Sequence, residues 1–585
     1  MKILRTHAAF RVEERLRRLY GERADSLMER FKMLLGRYGV GLSSPPRASL
    51  WSENDVLMIT YADTLNAPDR TPLRALREFC GRRYKGLVSR IHILPFCPWS
   101  SDDGFSVIDY RAVDSRYGSW ENVEALGNDF PLMFDLVLNH CSRESQWFRD
   151  FVTGIAPARH YFLPTDPKTD LTAVVRPRSS PLLSKTTTRD GEVFVWTTFS
   201  EDQVDLNWKN PDVLFEFLDI LFLYLAKGVS MLRLDAVAFL WKELGTDCLH
   251  RPETHEVVKL LRDVLTIVAP DTILLTETNV PHKENISYFG EGDEAHMVYN
   301  FTLPPLLLYS LLREDAGELT AWAQSLPDLP KGQAFLNFTA SHDGIGVRPL
   351  QGILPDKERD WLVEQVRKRG GRVSRKRNSD GSESPYELNI TYVSATGEEA
   401  NPELGRRRFL CSQAVMLSMR GIPAIYIHSL LGTPNDEEAV KRPDGYPRAI
   451  NRHKYTLSEV EKIAASPDEP QGKIHARYTS WLRRRTHHTA FHPEASQEIL
   501  SLNPSVFGFV RTSQDGAETI VCLFNFTTKE QKLPYPKIHS AFAHAGTARE
   551  LLSSTTVKTG PKRTLTLAPY QAVWLALRSL PNPAN

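Results

Sequence analysis

Eight short apolar, β-prone runs recur between Asp55 and Ser429, and their rhythm constrains this chain more than any other feature. They are DVLMITYAD from Asp55, RIHILPF from Arg90, PLMFDLVLNH from Pro131, VSMLRLD from Val229, TILLTET from Thr272, HMVYNF from His296, AFLNFTASHD from Ala334 and PAIYIHS from Pro423. Each is almost continuously apolar, as a strand buried on both faces must be, and each is followed by a stretch with helical character. That alternation predicts an α/β chain whose eight strands close into a parallel (β/α)8 barrel. With 585 residues, 41% of them hydrophobic, the chain can bury such a core and still carry appendages.

Two intervals are too long for a helix and its loops: about 90 residues between the third and fourth runs and about 80 between the seventh and eighth. Both leave from strand C-termini, so they are expected as subdomains over the barrel mouth, at about 141–228 and 347–405. Residues 1–50 space Leu16, Leu19, Leu27, Phe31, Leu34 and Leu35 as amphipathic helices do, and read as a helical extension ahead of a catalytic unit over 51–500. From 501 to 585 the runs SVFGFVRT, TIVCLFNFT and AVWLALRS point to a closing all-β domain.

Charge excludes some partners. Lys and Arg number 72 against 71 Asp and Glu, so no global field favours nucleic acid or an anionic membrane. The most apolar segment, 215–226, contains Glu216 and Asp219 and is too short to span a bilayer; it is expected as a buried helix. The N-terminus has charge where a secretory leader needs an apolar run. Six scattered cysteines without zinc spacing suit reduced thiols in a cytoplasmic protein, and no metal or cofactor is expected. The partners expected are small molecules, with a homodimer left open.

Polar residues gather where the expected strands end. Asp102 and Phe105 follow the second, Asn139 and His140 close the third, Asp235 the fourth, Glu277 the fifth, and His342 and Asp343 the seventh. Read alone, Arg233 and Asp235 are equally a buried ion pair, and His140 a satisfied core histidine. In a barrel, however, strand C-termini converge on one pocket. Adjacent strands lie about 4.8 Å apart, so Asp235 and Glu277 are expected to face each other across about 5 to 5.5 Å, the spacing of retaining glycoside chemistry. Arg233, on the same strand face as Asp235, is expected to hold it ionised. Glu277, after an apolar run, is expected to be raised and to serve as acid and then base.

LNH at 138–140, RLDAVAF at 233–239, TETN at 276–279 and ASHDGIGV at 340–347 resemble the α-amylase superfamily. HILPFCPWSSDDGF, RPRSSPLLS, WTTFSEDQVDLN, LPPLLLYS and SHDGIGV are similar to its sucrose phosphorylase branch. The resemblance implies Asp235 as nucleophile, Glu277 as acid/base and Asp343 as the carboxylate that grips sugar hydroxyls. It places Arg233, His140 and His342 around the same glucose, and Asp102 with Arg448 behind its non-reducing end.

Phosphate as second substrate needs fixed cations at the acceptor side. Arg176 and Arg178 match the RPR loop that the phosphorylase branch sets over its acceptor, whereas the run Arg367, Lys368, Arg369, Arg372, Arg375, Lys376 and Arg377 reads as a solvated face. Phe239 stands where sucrose phosphorylases have a tyrosine, and KRNSDGSESPYELNITY in the second interval is similar to glucosylglycerate phosphorylases. That family converts 2-O-α-glucosylglycerate and phosphate to glucose 1-phosphate and glycerate with retention. Sucrose, sucrose 6′-phosphate and glucosylglycerol remain rival donors, a glucosidase or transglucosidase a rival activity, and a non-enzymatic amylase-like subunit a third reading.

Overall fold

The computed structural model describes residues 2–38, 47–378, 382–443, 445–543 and 546–577. Eight parallel strands close into the expected barrel: β1 Leu57–Thr60, β2 Arg90–Ile93, β3 Leu132–Val137, β4 Val229–Asp235, β5 Ile273–Thr276, β6 Met297–Tyr299, β7 Ala334–Asn337 and β8 Ile422–Tyr426. Chain neighbours are spatial neighbours all the way round, and β8 closes on β1 through Ala424 opposite Leu57. The strand interiors are buried on both faces, which explains their unbroken apolar character.

Helices start where the sequence supplies chemistry for a start. Pro211–Ala226 begins with proline after Asn210, whose side chain accepts from the Asp212 N–H, and it buries most of its length against the barrel. Pro252–Val268 likewise starts on proline and follows β4. α1 (Lys2–Tyr20) and α2 (Ala24–Tyr38) form the N-terminal extension. Ala8, Val12, Leu16 and Tyr20, four residues apart, make the buried stripe of α1. Beside that stripe, buried Arg15 bonds Asp263 at 2.7 Å and Glu256 at 3.2 Å on the helix Pro252–Val268, and Asp293 at 3.2 Å.

Both long intervals carry structure of their own. In the first, His140–Ser142 pairs with Gln203–Asp205, and Leu183–Thr188 makes a hairpin with Gly191–Trp196. In the second, Ile345–Gly346, Glu383–Asn389 and Arg372–Arg377 form a three-stranded antiparallel sheet preceded by the helix Asp356–Lys368. The sheet starts inside the SHDGIGV motif, so it is anchored directly to the end of β7.

The C-terminal region forms a six-stranded antiparallel sheet that opens with Ser496–Ile499, just before position 501. Two fully buried arginines hold the approach to it with carbonyls instead of carboxylates, Arg511 from the sheet and Arg485 from the helix Pro470–Arg485 ahead of it. Arg511 donates to Ser418 O at 2.7 Å, His492 O at 2.8 Å and Ser496 O at 3.1 Å. Arg485 donates to Glu53 O at 2.6 Å, Leu417 O at 2.7 Å and Phe491 O at 3.1 Å. All six cysteines are free and buried, and among the described residues no helix is long and apolar enough to cross a membrane.

Candidate active site

Asp235 is the last residue of β4, and Ala236 after it takes a left-handed backbone with φ 49°. The turn aims the Ala236 N–H at Glu277 Oε2, 2.9 Å away. Glu277 is set level with Asp235 because its own N–H continues the ladder to Leu234 O at 3.0 Å. Strand register therefore brings the two carboxylates together.

Arg233 shares a strand face with Asp235 and contacts it at 2.7 Å. The same Nη1 also bonds Asp135, which lies opposite Arg233 on β3 and is itself bonded to His92 at 2.6 Å. A polar row thus runs through the barrel from β2 to β4, with the rings of Phe105 and Tyr299 at 5.6 Å and 5.7 Å from the guanidinium. This corrects the expectation that Arg233 holds Asp235 ionised. Burial, with the nearby Glu277, Asp135 and Asp343 carboxylates, raises Asp235 well above the ordinary carboxylate range despite a guanidinium that is divided between two acids. Burial also raises Glu277, as the sequence suggested, with Asp343 adding to it.

Asp343 is the opposite case. Burial works against its charge, but Arg448 at 2.8 Å, with Arg233 and Arg452 behind it, overcomes it and holds Asp343 far below the usual range. Burial keeps His342 neutral, and its ring stacks on Phe105 at 4.8 Å, tilted by 4°. His140 is also held neutral by burial; its Nε2–H donates to Phe105 O at 2.9 Å. Beneath it, Lys242 bridges Asn139 at 2.5 Å and Asp205 at 2.7 Å. Asp102 lies 3.6 Å from Arg448, but that guanidinium's main partners are Asp343 and Glu387, the latter accepting at 3.0 Å from both Nε and Nη2. Asp102 and Asp103 both have left-handed backbones, φ 52° and 47°, which aspartate tolerates. Asp103 meets Arg452 at 2.9 Å, and Arg452 in turn donates to His342 O at 2.8 Å.

One cavity is lined by Asp102, Phe105, His140, Arg233, Asp235, Glu277, His342, Asp343 and Arg448, together with Arg178, Phe199, Gln203, Phe239, Asn279, Tyr386 and Glu387. Arg176 is not part of that lining. Its half-buried guanidinium lies near Arg377, and burial with that like charge lowers its pKa. The run 367–377 stays outside the lining too, with Arg372 paired to Glu437 at 3.0 Å and Arg375 to Glu383 at 3.5 Å.

Sequence reasoning missed Asp135, Arg452, Tyr386 and Glu387. Asp135 had a signal, being the lone acid inside an apolar strand, and Arg452 stands four residues after Arg448 in RAINRHKY. Tyr386 and Glu387 had none, because the register of an inserted hairpin decides which of its residues reach the cavity.

A closed barrel with three acids at its mouth and a β-domain behind it is the architecture of α-amylase-class catalytic chains. The α-amylase catalytic-domain family matches residues 87–325, and the maltogenic amylase C-terminal domain matches 497–574. A glucosylglycerate phosphorylase of Spirochaeta thermophila is 46% identical over 529 residues, covering 89% of each chain, and one of Escherichia coli is 43% identical over 90% of this chain and 93% of that protein. A sucrose phosphorylase of Streptococcus mutans is more distant, at 29% identity over 79% of this chain and 94% of its own. Among solved structures, sucrose 6F-phosphate phosphorylase from Thermoanaerobacter thermosaccharolyticum aligns with a TM-score of 0.70 at 26% identity, covering 81% of this chain and 94% of that one. This chain belongs to the glucosylglycerate phosphorylase family.

Proposed function

We propose that the chain cleaves 2-O-α-glucosylglycerate with phosphate, giving α-glucose 1-phosphate and glycerate with retention. The observation that carries this reading is the pairing of Asp235 and Glu277 at one level of the barrel, with Arg178 facing the same cavity. Asp235 attacks the anomeric carbon while the bond to the glycerate oxygen breaks and Glu277 gives that oxygen its proton. In the second half a phosphate oxygen attacks the same carbon, the ester to Asp235 breaks, and the phosphate proton passes to Glu277.

Asp343, fixed by Arg448, is the acceptor for glucose hydroxyls, and Asp102, His140, His342 and Arg233 complete the sugar's walls. The sugar's positive charge develops beside Asp235, Glu277 and Asp343, which favours the transition state over the ground state. The same approach of positive charge lowers the raised Asp235 and prepares it as nucleophile. Phe239, at 5.4 Å from Phe199, makes the acceptor side aromatic where a tyrosine would add a hydroxyl. The reaction so written uses no cofactor, and six reduced thiols suit a cytoplasmic setting.

Incubation with phosphate and, separately, glucosylglycerate, sucrose, sucrose 6′-phosphate or glucosylglycerol, followed by NMR of the products, tests the reading. Glucosylglycerate is expected to give α-glucose 1-phosphate at the highest kcat/KM. Release of free glucose independent of phosphate, or a preference for another donor, would sink it.

A further inference from the structure

One member of the polar row beneath the nucleophile takes no part in the reaction as written. His92, on β2, is fully buried and does not line the cavity. Its Nε2 lies 2.6 Å from Asp135 Oδ2, and among the described residues its Nδ1 has no hydrogen-bond partner. A neutral imidazole keeps one N–H, and here the nitrogen that has an acceptor is Nε2.

Asp135 stands opposite Arg233 across the β3–β4 pair, one inward-facing position deeper than Asp235. Its two oxygens are divided between two donors, Oδ1 with Arg233 Nη1 and Oδ2 with His92. The same Nη1 serves Asp235 Oδ1 at 2.7 Å, while Arg233 Nε has no partner and Nη2 comes only within 4.0 Å of Glu277. One guanidinium charge therefore serves two buried acids. Whatever part of the Asp135 charge His92 does not meet falls to Arg233.

We propose that His92 is a positioning residue for the nucleophile: by bonding the far oxygen of Asp135, it leaves more of the Arg233 charge to Asp235. The inference rests on Asp235 being the nucleophile of the reaction proposed above. Other titratable groups near the row do not substitute for His92. Burial keeps Tyr299 on β6 and Tyr61 beside β1 protonated, and His342 neutral. Cys97 and Tyr224, which also feel Asp135, are likewise kept protonated by burial. Glu277 and Asp343 only add negative charge around Asp235.

The test follows the acid limb of kcat/KM for α-glucosyl fluoride, a donor whose leaving group needs no proton. With this donor the limb reports ionisation of Asp235 and not protonation of Glu277. In His92→Leu, Asp135 draws Arg233 towards itself. The limb is expected to move up by about one pH unit, with kcat/KM on the acid side falling about tenfold and the plateau kept within about threefold. His92→Gln, which keeps an N–H donor, is expected to restore most of the difference. Asp135→Asn removes the rival acid and is expected to move the limb the other way, to lower pH.

A plateau that falls in His92→Leu while the limb stays in place would overturn the inference and reduce His92 to a support of the barrel core. A limb that moves to lower pH in that variant would also overturn it, because Asp135 would then be taking up a proton instead of drawing on Arg233. If His92→Leu does not fold, Asp135→Asn decides by its sign: an unmoved or rising limb overturns the inference. Failure of the wild type to make glucose 1-phosphate from glucosylglycerate would instead remove the functional reading, while the fluoride profiles would still report on Asp235.

Discussion

The two sides of the cavity are built on different principles. On the sugar side almost every charged group has a charged partner in place: Asp343 with Arg448, Arg448 with Glu387, Arg452 with Asp103, Arg233 with Asp135 and Asp235. On the acceptor side Arg178, Phe199, Phe239 and Tyr386 meet through rings, and the cation is left open. The difference follows from origin: strand ends of a closed barrel supply the sugar side, and the two long insertions supply most of the other. A substrate glucose is the same in every half-reaction, so its site can be fixed beforehand. The acceptor changes within each turnover, so its site keeps donors free.

The comparison can be broken most sharply at Asp235. Asp235→Asn is expected to lower phosphorolysis by about 10⁴-fold or more, measured as glucose 1-phosphate release, because the covalent step has no substitute. It should not unfold the protein. A carboxyl whose folded pKa is raised adds stability below the ordinary carboxylate range and loses it as pH rises through the raised value. At neutral pH the neutral amide therefore leaves the melting temperature equal or higher, and a large drop would show that Asp235 anchors Arg233 structurally.

Next in size is Glu277→Gln, expected to reduce kcat/KM for glucosylglycerate by about 10³-fold, with a much smaller loss for α-glucosyl fluoride, which leaves without a proton. In the wild type the raised Glu277 is expected to set the basic limb of the pH profile for the donor half-reaction, and that limb should vanish in the variant.

Arg448→Ala tests whether the sugar side is held by pairing. It leaves Asp343 and Glu387 without their cation and is expected to destabilise the fold by about 3 kcal/mol in a denaturant titration. Asp343, depressed in the native protein, keeps its stabilising contribution above the ordinary range and loses it as pH falls through its low value. Without Arg448 that transition moves up, so the acid limb of kcat/KM should shift to higher pH; an unmoved limb would separate Asp343 from Arg448.

The smallest effect is expected at Phe239→Tyr. A hydroxyl added to the aromatic acceptor wall should alter the relative kcat/KM of glycerate, glycerol and fructose in the synthetic direction by less than about tenfold, the range of one hydrogen bond. A larger change would make this ring the chief selector of the acceptor.

The same division explains what could be read from the sequence. The eight runs gave the barrel because burial on both faces leaves an unbroken apolar signature, and Asp235, Glu277 and His342–Asp343 were visible because they interrupt it at strand ends. Arg233 was visible as well, but its sharing with Asp135 depends on the pairing of β3 with β4, which no local pattern encodes. On the acceptor side, Arg178 was found through the RPR resemblance, which names Arg176 with it although only Arg178 lines the cavity. Glu387 lay in an insertion whose strand register emerges only when the hairpin folds against β7's end.

The joint between barrel and C-terminal sheet has a practical consequence for chimeras. In sequence the last seventh looks like an interchangeable module, yet Arg511 within it reaches the main-chain oxygens of Ser418, His492 and Ser496, and Arg485 just ahead of it ties Phe491 to Glu53 and Leu417. Main-chain oxygens carry no side-chain identity, so a transplanted sheet would have to reproduce the path of the backbone at 53, 417–418 and 491–496 to within a few tenths of an ångström. Exchange between relatives is therefore limited by backbone geometry at the seam, and a graft that matches every surface residue but shifts that path would leave two cations stranded in the interior.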